Sequence, residues 1–224
     1  MLISSKHSLR SFFKLPNYAR GRGFTLIELI VVSAIIILIT TFIFFQQAKF
    51  NSSTLLRSLT YSVALSVRQA QVYGTSVREF SPGSGLFAPG YGIHVPAADS
   101  GATTYYIFAD TEPIGGGDGK YTSAAEALPV FTLGRGYIVN KVCVSTDGLG
   151  CVDVSPLTIF FRRPNPDACI SNNTDGYCVA GATPQYLSAF IQLKSTGNND
   201  TRSIKITNTG QIAVCAPNLA PPSC

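Results

Sequence analysis

The stretch that decides the fold runs from Phe24 to Phe45 and reads FTLIELIVVSAIIILITTFIFF, with Glu28 as its one charged residue. A helix of about 20 apolar residues is long enough to cross the hydrocarbon core of a bilayer, which is ~30 Å thick. The run exceeds the apolar region of a cleaved secretory signal, and its small residue stands before the run rather than after it. We therefore predict a transmembrane helix over residues 24–45.

The charge of the chain is distributed unevenly. Five of the 17 basic residues and no acidic residue precede Phe24, so the other 12 basic residues match the 12 acidic ones and the rest of the chain is formally neutral. The positive-inside rule keeps the basic segment in the cytoplasm and places the C-terminal part across the membrane. A neutral body lacks the clustered Lys and Arg of a sequence-independent nucleic-acid binder.

All six cysteines lie in the C-terminal half, and their even number without a C-x-x-C pair predicts a disulfide framework in an exported body rather than a zinc site. Six cysteines permit 15 full pairings. We expect pairing between sequence neighbours, because each short intervening segment contains glycine or proline that can turn the chain. The expected pairs are Cys143 with Cys151, Cys169 with Cys178, and Cys215 with Cys224.

Glu28 is the feature that an ordinary signal anchor leaves unexplained. A carboxylate near one end of a spanning helix costs about 1 to 3 kcal/mol even when the side chain reaches toward the interface. A buried or half-buried charge of this kind is stabilised by an opposite charge. The sequence therefore predicts a partner for Glu28.

Residues Gly21-Arg22-Gly23-Phe24-Thr25-Leu26-Ile27-Glu28-Leu29 resemble the class III signal of type IV prepilins, whose members build type IV pili and type II secretion pseudopili. The resemblance implies that a prepilin peptidase removes a basic leader, residues 1–23, by cutting after Gly23, and then methylates the new N-terminal amine of Phe24. It also implies that Glu28 pairs with the N-terminal amine of a neighbouring subunit during assembly. The implied location is the inner membrane, with an extracytoplasmic head, and then the filament.

The helix is predicted to continue beyond the membrane. No proline or glycine occurs between Phe24 and Tyr73, and Gly74 is the first residue expected to break the helix. Residues 46–74 are therefore predicted to form an amphipathic continuation. The apolar stripe expected to pack under the head consists of Leu56, Leu59, Val63, Val67 and Ala70, and the opposite side shows Arg57, Tyr61, Arg68 and Gln71.

The remainder, residues 75–224, has the short β-branched and aromatic runs of a β-rich globular head, which makes the whole chain α+β. The clearest hairpin joins residues 203–207 to 211–214 through Asn208-Thr209-Gly210, with Ile204, Ile206, Ile212 and Val214 expected to face the core. Further strands are predicted over residues 91–95, 103–108, 137–144, 157–161 and 187–194.

The order of these segments also resembles the GspH/FimT group of H-type minor pseudopilins and T-type fimbrial minor pilins. The cues are Arg68-Gln69-Ala70 before Tyr73-Gly74, then Gly90-Tyr91-Gly92-Ile93, and residues 204–212 around Gly210. This resemblance implies a minor subunit at or near a filament tip. The chain lacks the arginine-rich motif that T-type pilins active in DNA uptake carry near the C-terminus, which argues against nucleic acid as a partner.

Three other sequence patterns are candidates for functional sites. His94 is the one histidine outside the leader, and we expect a structural role rather than a catalytic triad. Residues 115–120 fail the phosphate-loop pattern, because Tyr121 stands where serine or threonine would hold magnesium. Asp110, Glu112 and Asp118, with Glu126 nearby, form an acidic glycine-rich loop that is a weak candidate for calcium but more typical of a solvated loop.

The sequence therefore favours a structural, non-enzymatic subunit without a small-molecule substrate or cofactor, whose partners are other pilin or pseudopilin subunits. The alternatives are an adhesin or a minor pilin that binds DNA or a secreted substrate, and a membrane-tethered periplasmic enzyme. The choice between pilus and pseudopilus stays open, since their subunits share the same N-terminal features.

Overall fold

The structure, a computed structural model, describes residues 23–83, 85, 87, 90–96, 101–111, 117–172, 186–197 and 199–224. One long helix, α1, precedes antiparallel strands, so the predicted α+β class is confirmed. The chain divides into two compact units at Phe45 and Gln46. The elements of the described part are α1 (Leu26–Thr75), β1 (Gly90–Val95), β2 (Thr104–Ala109), a 3-10 turn (Ala124–Glu126), β3 (Ala127–Thr132), β4 (Tyr137–Ser145), β5 (Val152–Asp153), β6 (Leu157–Arg162), β7 (Ala168–Ser171), β8 (Ser188–Ser195), β9 (Thr201–Thr207) and β10 (Ile212–Val214).

The strands of the second unit form two five-stranded sheets. The order in one sheet is β3-β2-β1-β6-β7, and the order in the other is β10-β9-β8-β4-β5. Every neighbouring pair is antiparallel. Antiparallel sheets tolerate water on one face, so each needs only one apolar face to pack on the core. The main core takes its apolar residues from both sheets and from the second half of α1.

The apolar stripe of α1 packs as predicted. Leu56, Val63, Val67 and Ala70 are buried, and Leu59 packs against the same core with partial exposure. Removing such side chains from water is the main favourable term for docking this part of the helix. Two tyrosines of the sheets also form hydrogen bonds with α1. The Tyr105 hydroxyl shares a 3.0 Å hydrogen bond with the hydroxyl of Ser66, and the Tyr137 hydroxyl donates to the carbonyl oxygen of Ser52 at 2.9 Å.

Two details of α1 differ from the sequence prediction. The sequence predicts Gln71 on the solvent side, but the residue is 3% exposed because its side-chain amide bonds to carbonyl groups of the second unit. Gly74 does not break the helix, which ends at Thr75. It is needed for close packing instead, since a Cβ at position 74 would lie 2.4 Å from the carbonyl oxygen of Phe161.

The predicted strands are present with ends shifted by one or two residues, and three further strands were not predicted. Those three are short or irregular: β3 contains Pro129, β5 has two residues and β7 has four. The hairpin of β9 and β10 forms as expected, and Ile204 and Ile206 are fully buried. Ile212 and Val214 are only partly buried because β10 is the edge strand of its sheet.

Candidate functional site

The predicted processing segment lies at the start of α1. Gly23, Phe24 and Thr25 are outside regular secondary structure, and the helix begins at Leu26. The side chain of Phe24 is 76% exposed, and among the described residues no atom lies within 4 Å of the position that a Cβ would occupy at Gly23. The peptide bond between Gly23 and Phe24 therefore lies outside regular secondary structure, next to an exposed Phe24 side chain.

Thr25 caps the helix that follows this bond. Its hydroxyl oxygen accepts a 3.3 Å hydrogen bond from the backbone N–H of Glu28, and its carbonyl oxygen accepts the N–H of Leu29 at 3.1 Å. A threonine followed three residues later by glutamate is the capping-box pattern, in which the threonine satisfies one of the free N–H groups of the first turn. This role of Thr25 is not among the sequence predictions, although the spacing of Thr25 and Glu28 carries the signal.

Glu28 stands in the first turn of α1, where the helix dipole stabilises a carboxylate by about 0.3 to 1 kcal/mol. That gain is smaller than the cost of about 1 to 3 kcal/mol for a carboxylate near one end of a spanning helix. Within the described residues the carboxylate of Glu28 has no ion-pair partner. The local structure therefore offsets only part of the cost of this charge.

The other polar side chains of the apolar half of α1 are satisfied within the helix. The hydroxyl of Ser33 donates to the carbonyl oxygen of Ile30 at 2.9 Å, that of Thr40 to Ile36 at 2.8 Å, and that of Thr41 to Ile37 at 2.7 Å. Back-bonded hydroxyls of this kind fit an apolar environment, where an unsatisfied polar group is costly. Glu28 is thus the polar side chain of residues 26–45 for which the described part of the chain supplies no hydrogen-bond or ionic partner.

The same half of α1 exposes its apolar side chains. None of its most hydrophobic window is buried, and its length and composition suffice to cross a membrane. Leu38 is 72% exposed and Phe44 is 74% exposed, for example. Contiguous apolar surface of this extent marks a segment that lipid or another chain covers. The helix is therefore suited to serve as a membrane anchor.

Two of the three predicted disulfides are present. Cys143 is bonded to Cys151, and Cys215 is bonded to Cys224. Cys169 is disulfide-bonded and no described cysteine is free, but Cys178 lies outside the described residues, so the third predicted pair stays a prediction. The first bond staples the hairpin of β4 and β5, and the second closes the C-terminal tail onto the end of β10.

The acidic loop uses its carboxylates to hold its own backbone. Asp110 is buried and accepts the N–H groups of Asp118 at 3.0 Å and Gly119 at 2.8 Å. Glu126 is also buried and accepts the N–H groups of Thr111 at 3.1 Å and Thr122 at 2.8 Å. These bonds organise the loop and replace the solvated arrangement expected from sequence.

Two of the calcium candidates, Asp110 and Asp118, lie next to each other in the described part of the chain, but they bind backbone N–H groups. No group of three acidic, histidine or cysteine side chains converges there in a way that could hold a metal. Asp118 directs its carboxylate to the N–H of Lys120 at 3.0 Å, and Glu112 lies outside the described residues. Burial raises the pKa of Asp110 to about 6, because removal from water disfavours its charged form more than the two N–H donors stabilise it.

The surroundings of His94 fit a structural role. It is 6% exposed, its Nδ1 shares a 2.9 Å hydrogen bond with the hydroxyl of Thr158, and its ring stacks on Tyr121 at 4.4 Å. Burial lowers the pKa of His94 to about 4, so the ring is neutral at neutral pH. The neighbouring loop 115–120 lies partly outside the described residues, which begin again at residue 117.

No family model, curated protein or solved structure matches this chain. The fold and the N-terminal segment therefore describe the class of this protein by its architecture alone. One long apolar N-terminal helix that continues into an antiparallel β-rich, disulfide-bonded unit is an arrangement compatible with a pilin-like fold.

Proposed function

We propose that this chain is a structural subunit, of the minor kind, of a type IV pilus or a type II secretion pseudopilus. The observation that carries the proposal is Glu28, the one polar side chain of the apolar helix half for which the described residues supply no partner. It lies in the first turn of α1, which begins at Leu26, two residues after Phe24. A subunit that gains a counter-charge for Glu28 only on assembly accounts for this arrangement.

Cleavage after Gly23 would supply that counter-charge. The new α-amine on Phe24 is a base with an ordinary pKa of about 7.7 to 8.0, so it is positively charged at neutral pH, and N-methylation keeps it basic. Thr25 remains as the cap, so the helix start does not depend on the leader. The carboxylate of one subunit and the amine of its neighbour attract strongly in hydrocarbon, where each is costly alone.

The proposed location follows from the same segment. The apolar half of α1 anchors the subunit in the inner membrane before assembly, and the disulfide-bonded unit lies outside the cytosol, where disulfides persist. The partners are a prepilin peptidase and other pilin or pseudopilin subunits. Whether the filament is a pilus or a pseudopilus depends on the other subunits with which the chain assembles.

The test is the mature N-terminus in cells that contain a prepilin peptidase. We expect mass spectrometry of membrane-extracted protein to show a chain that begins at methylated Phe24. Gly23→Ala is expected to accumulate the uncut precursor, whereas Gly21→Ala, a glycine two residues upstream, is expected to be processed. An intact leader in assembled filaments, or a cut after the apolar run, would contradict the proposal.

A further inference from the structure

A groove of about 770 Å³ lies in the second unit between α1 and the hairpin of β9 and β10. Tyr61, Leu65 and Arg68 form its helical wall, and Ile212 to Val214 form its opposite wall. Tyr61 is 46% exposed and Leu65 is 68% exposed, although both stand on a helix whose other face is buried in the core. The groove thus combines an open apolar helix face with the last strand of a sheet.

That strand, β10, presents unpaired backbone groups to the groove. Ile212 pairs with Ile206 and Val214 with Ile204, while Cys215 donates its N–H to Ser203 at 2.9 Å. Residues opposite one another in an antiparallel pair alternate between hydrogen-bonded and non-hydrogen-bonded positions. The peptide groups of Ile212 and Val214 therefore point away from β9, and among the described residues they have no backbone partner on that side.

An added strand would match both walls. A strand placed beside β10 would extend the sheet across the exposed side chains of Tyr61 and Leu65. Its backbone would form hydrogen bonds with the outward-facing N–H and C=O groups of Ile212 and Val214, as when an extended peptide binds to the edge of a sheet. Every second side chain of the added strand would face the helix. The occupant that these features fit is an extended segment with apolar residues at alternate positions.

The charge of the groove indicates the sign of the charge expected on a binding partner. Arg68 is the one charged residue among those that line the groove, and the sequence has no carboxylate between Glu28 and Glu79. Arg68 donates from Nη1 to the side-chain oxygen of Gln71, which is buried and also lines the groove, so the guanidinium is held at the groove lining. An acidic side chain on a different protein complements this charge.

We propose that this groove binds an extended, acidic segment of a partner protein, which adds to β10 as a further strand and places a carboxylate opposite Arg68. The inference concerns the folded second unit and is independent of how the N-terminal segment is processed. A failure of leader cleavage would leave it standing, and a failure of peptide binding would leave the proposed function standing.

The test uses the full chain in detergent micelles and a blocked octapeptide of alternating threonine and valine with one central glutamate. Backbone amide shifts in NMR spectra would report the binding position. We expect saturable shifts at Ile212 and Val214 at peptide concentrations up to millimolar. A peptide with all its central amides N-methylated keeps the side chains but cannot pair as a strand, and we expect its affinity to be at least about tenfold lower.

Two variants separate strand pairing from charge. Val214→Pro removes an N–H that points into the groove and leaves the ladder to β9 intact, which edge strands tolerate. It is expected to weaken the octapeptide at least about tenfold with a thermal unfolding midpoint close to that of the parent chain. Arg68→Gln is expected to abolish the preference for the glutamate peptide over its glutamine analogue, whereas Lys205→Gln, outside the groove lining, is expected to keep it.

Several outcomes would overturn the inference. They are no shifts at β10 with millimolar peptide, equal affinity for the N-methylated peptide, or unchanged discrimination of glutamate from glutamine in Arg68→Gln. A single-stranded oligonucleotide or anionic vesicles could also be tested as competitors of the peptide. If either binds more tightly than the peptide, the face of α1 that carries Arg68 binds another class of ligand, and the inference is wrong. If Val214→Pro fails to fold, the N-methylated peptide and the Arg68→Gln chain decide the question.

Discussion

Gln71 and Gly210 lie in direct contact, since the side-chain amide of Gln71 donates a 2.9 Å hydrogen bond to the carbonyl oxygen of Gly210. The same amide donates to the carbonyl oxygen of Pro166 at 2.8 Å. A Cβ at position 210 would come within 2.5 Å of the Gln71 nitrogen and 2.1 Å of the Pro166 oxygen. This contact ties α1 to the β9 to β10 hairpin through a residue that has no side chain.

Gly210→Ala is therefore expected to destabilise the folded unit by about 2 to 4 kcal/mol, because it adds a backbone clash to the strain of a positive φ of 79°. Gly148→Ala is the matched control, since Gly148 has a similar φ of 78° and no atom within 4 Å of its Cβ position. It should cost only about 1 to 2 kcal/mol. Chemical denaturation of both variants measures the difference, and equal losses would show that the close contact does not matter.

Glu28→Ala is expected to leave leader cleavage largely intact and to reduce incorporation into filaments, because the neighbouring amine loses its counter-charge. Ser33→Ala is the control, because the Ser33 hydroxyl is already satisfied by the carbonyl oxygen of Ile30 at 2.9 Å. Quantifying each variant in sheared filaments against the membrane pool tests this. Normal incorporation of Glu28→Ala would show that assembly does not need the carboxylate.

Asp110 is expected to make stability depend on pH. Its pKa is raised to about 6 in the folded chain against 3.8 for a free side chain, because burial disfavours the charge. The folded state therefore holds an extra proton between these values, and its stability falls as pH rises from about 4 through 6, by on the order of 1 to 3 kcal/mol.

Asp110→Asn removes this titration while Glu126 and Asp118 keep their carboxylates. Thermal unfolding of both chains is measured across this pH range. The unfolding midpoint of the parent chain should fall as pH rises, and that of the variant should fall less. Parallel curves for the two chains would contradict the assignment to Asp110.

Replacing Cys215 and Cys224 together by serine is expected to cost about 2 to 3 kcal/mol, because the bond closes a short loop in the unfolded chain. The tail it closes also pairs with β9. Asn218 donates its N–H to the carbonyl oxygen of Thr201 at 2.9 Å and accepts the N–H of Thr201 on its side chain at 2.9 Å.

Amide exchange at Thr201 should therefore accelerate in the double serine variant. The amide of Ile191, in the core of the neighbouring strand β8, should stay protected under the same conditions and serves as the internal control. Unchanged protection of Thr201 would show that the tail holds its place without the disulfide.

The sequence by itself determined the features that depend on local pattern. The absence of proline and glycine between Phe24 and Tyr73 predicted a continuous helix over residues 24–74, close to the Leu26–Thr75 of the structure. The spacing of Leu56, Val63 and Val67 predicted its buried stripe. Alternation around Asn208 to Gly210 predicted the last hairpin, and short separations between cysteines predicted the two disulfides that the described residues contain. Each of these signals lies within a few residues along the chain.

Only the tertiary structure decided how distant segments use polar residues. Gln71 looked like a surface residue because it lies on the side of the helix opposite the apolar stripe. It is buried instead, and its amide bonds to carbonyl groups 95 and 139 residues away in sequence. Asp110 and Glu126 looked like a solvated loop, and they proved to be buried acceptors for backbone N–H groups. A sequence pattern reports polarity, but whether a polar group meets water or a partner depends on which remote backbone atoms the fold brings to it.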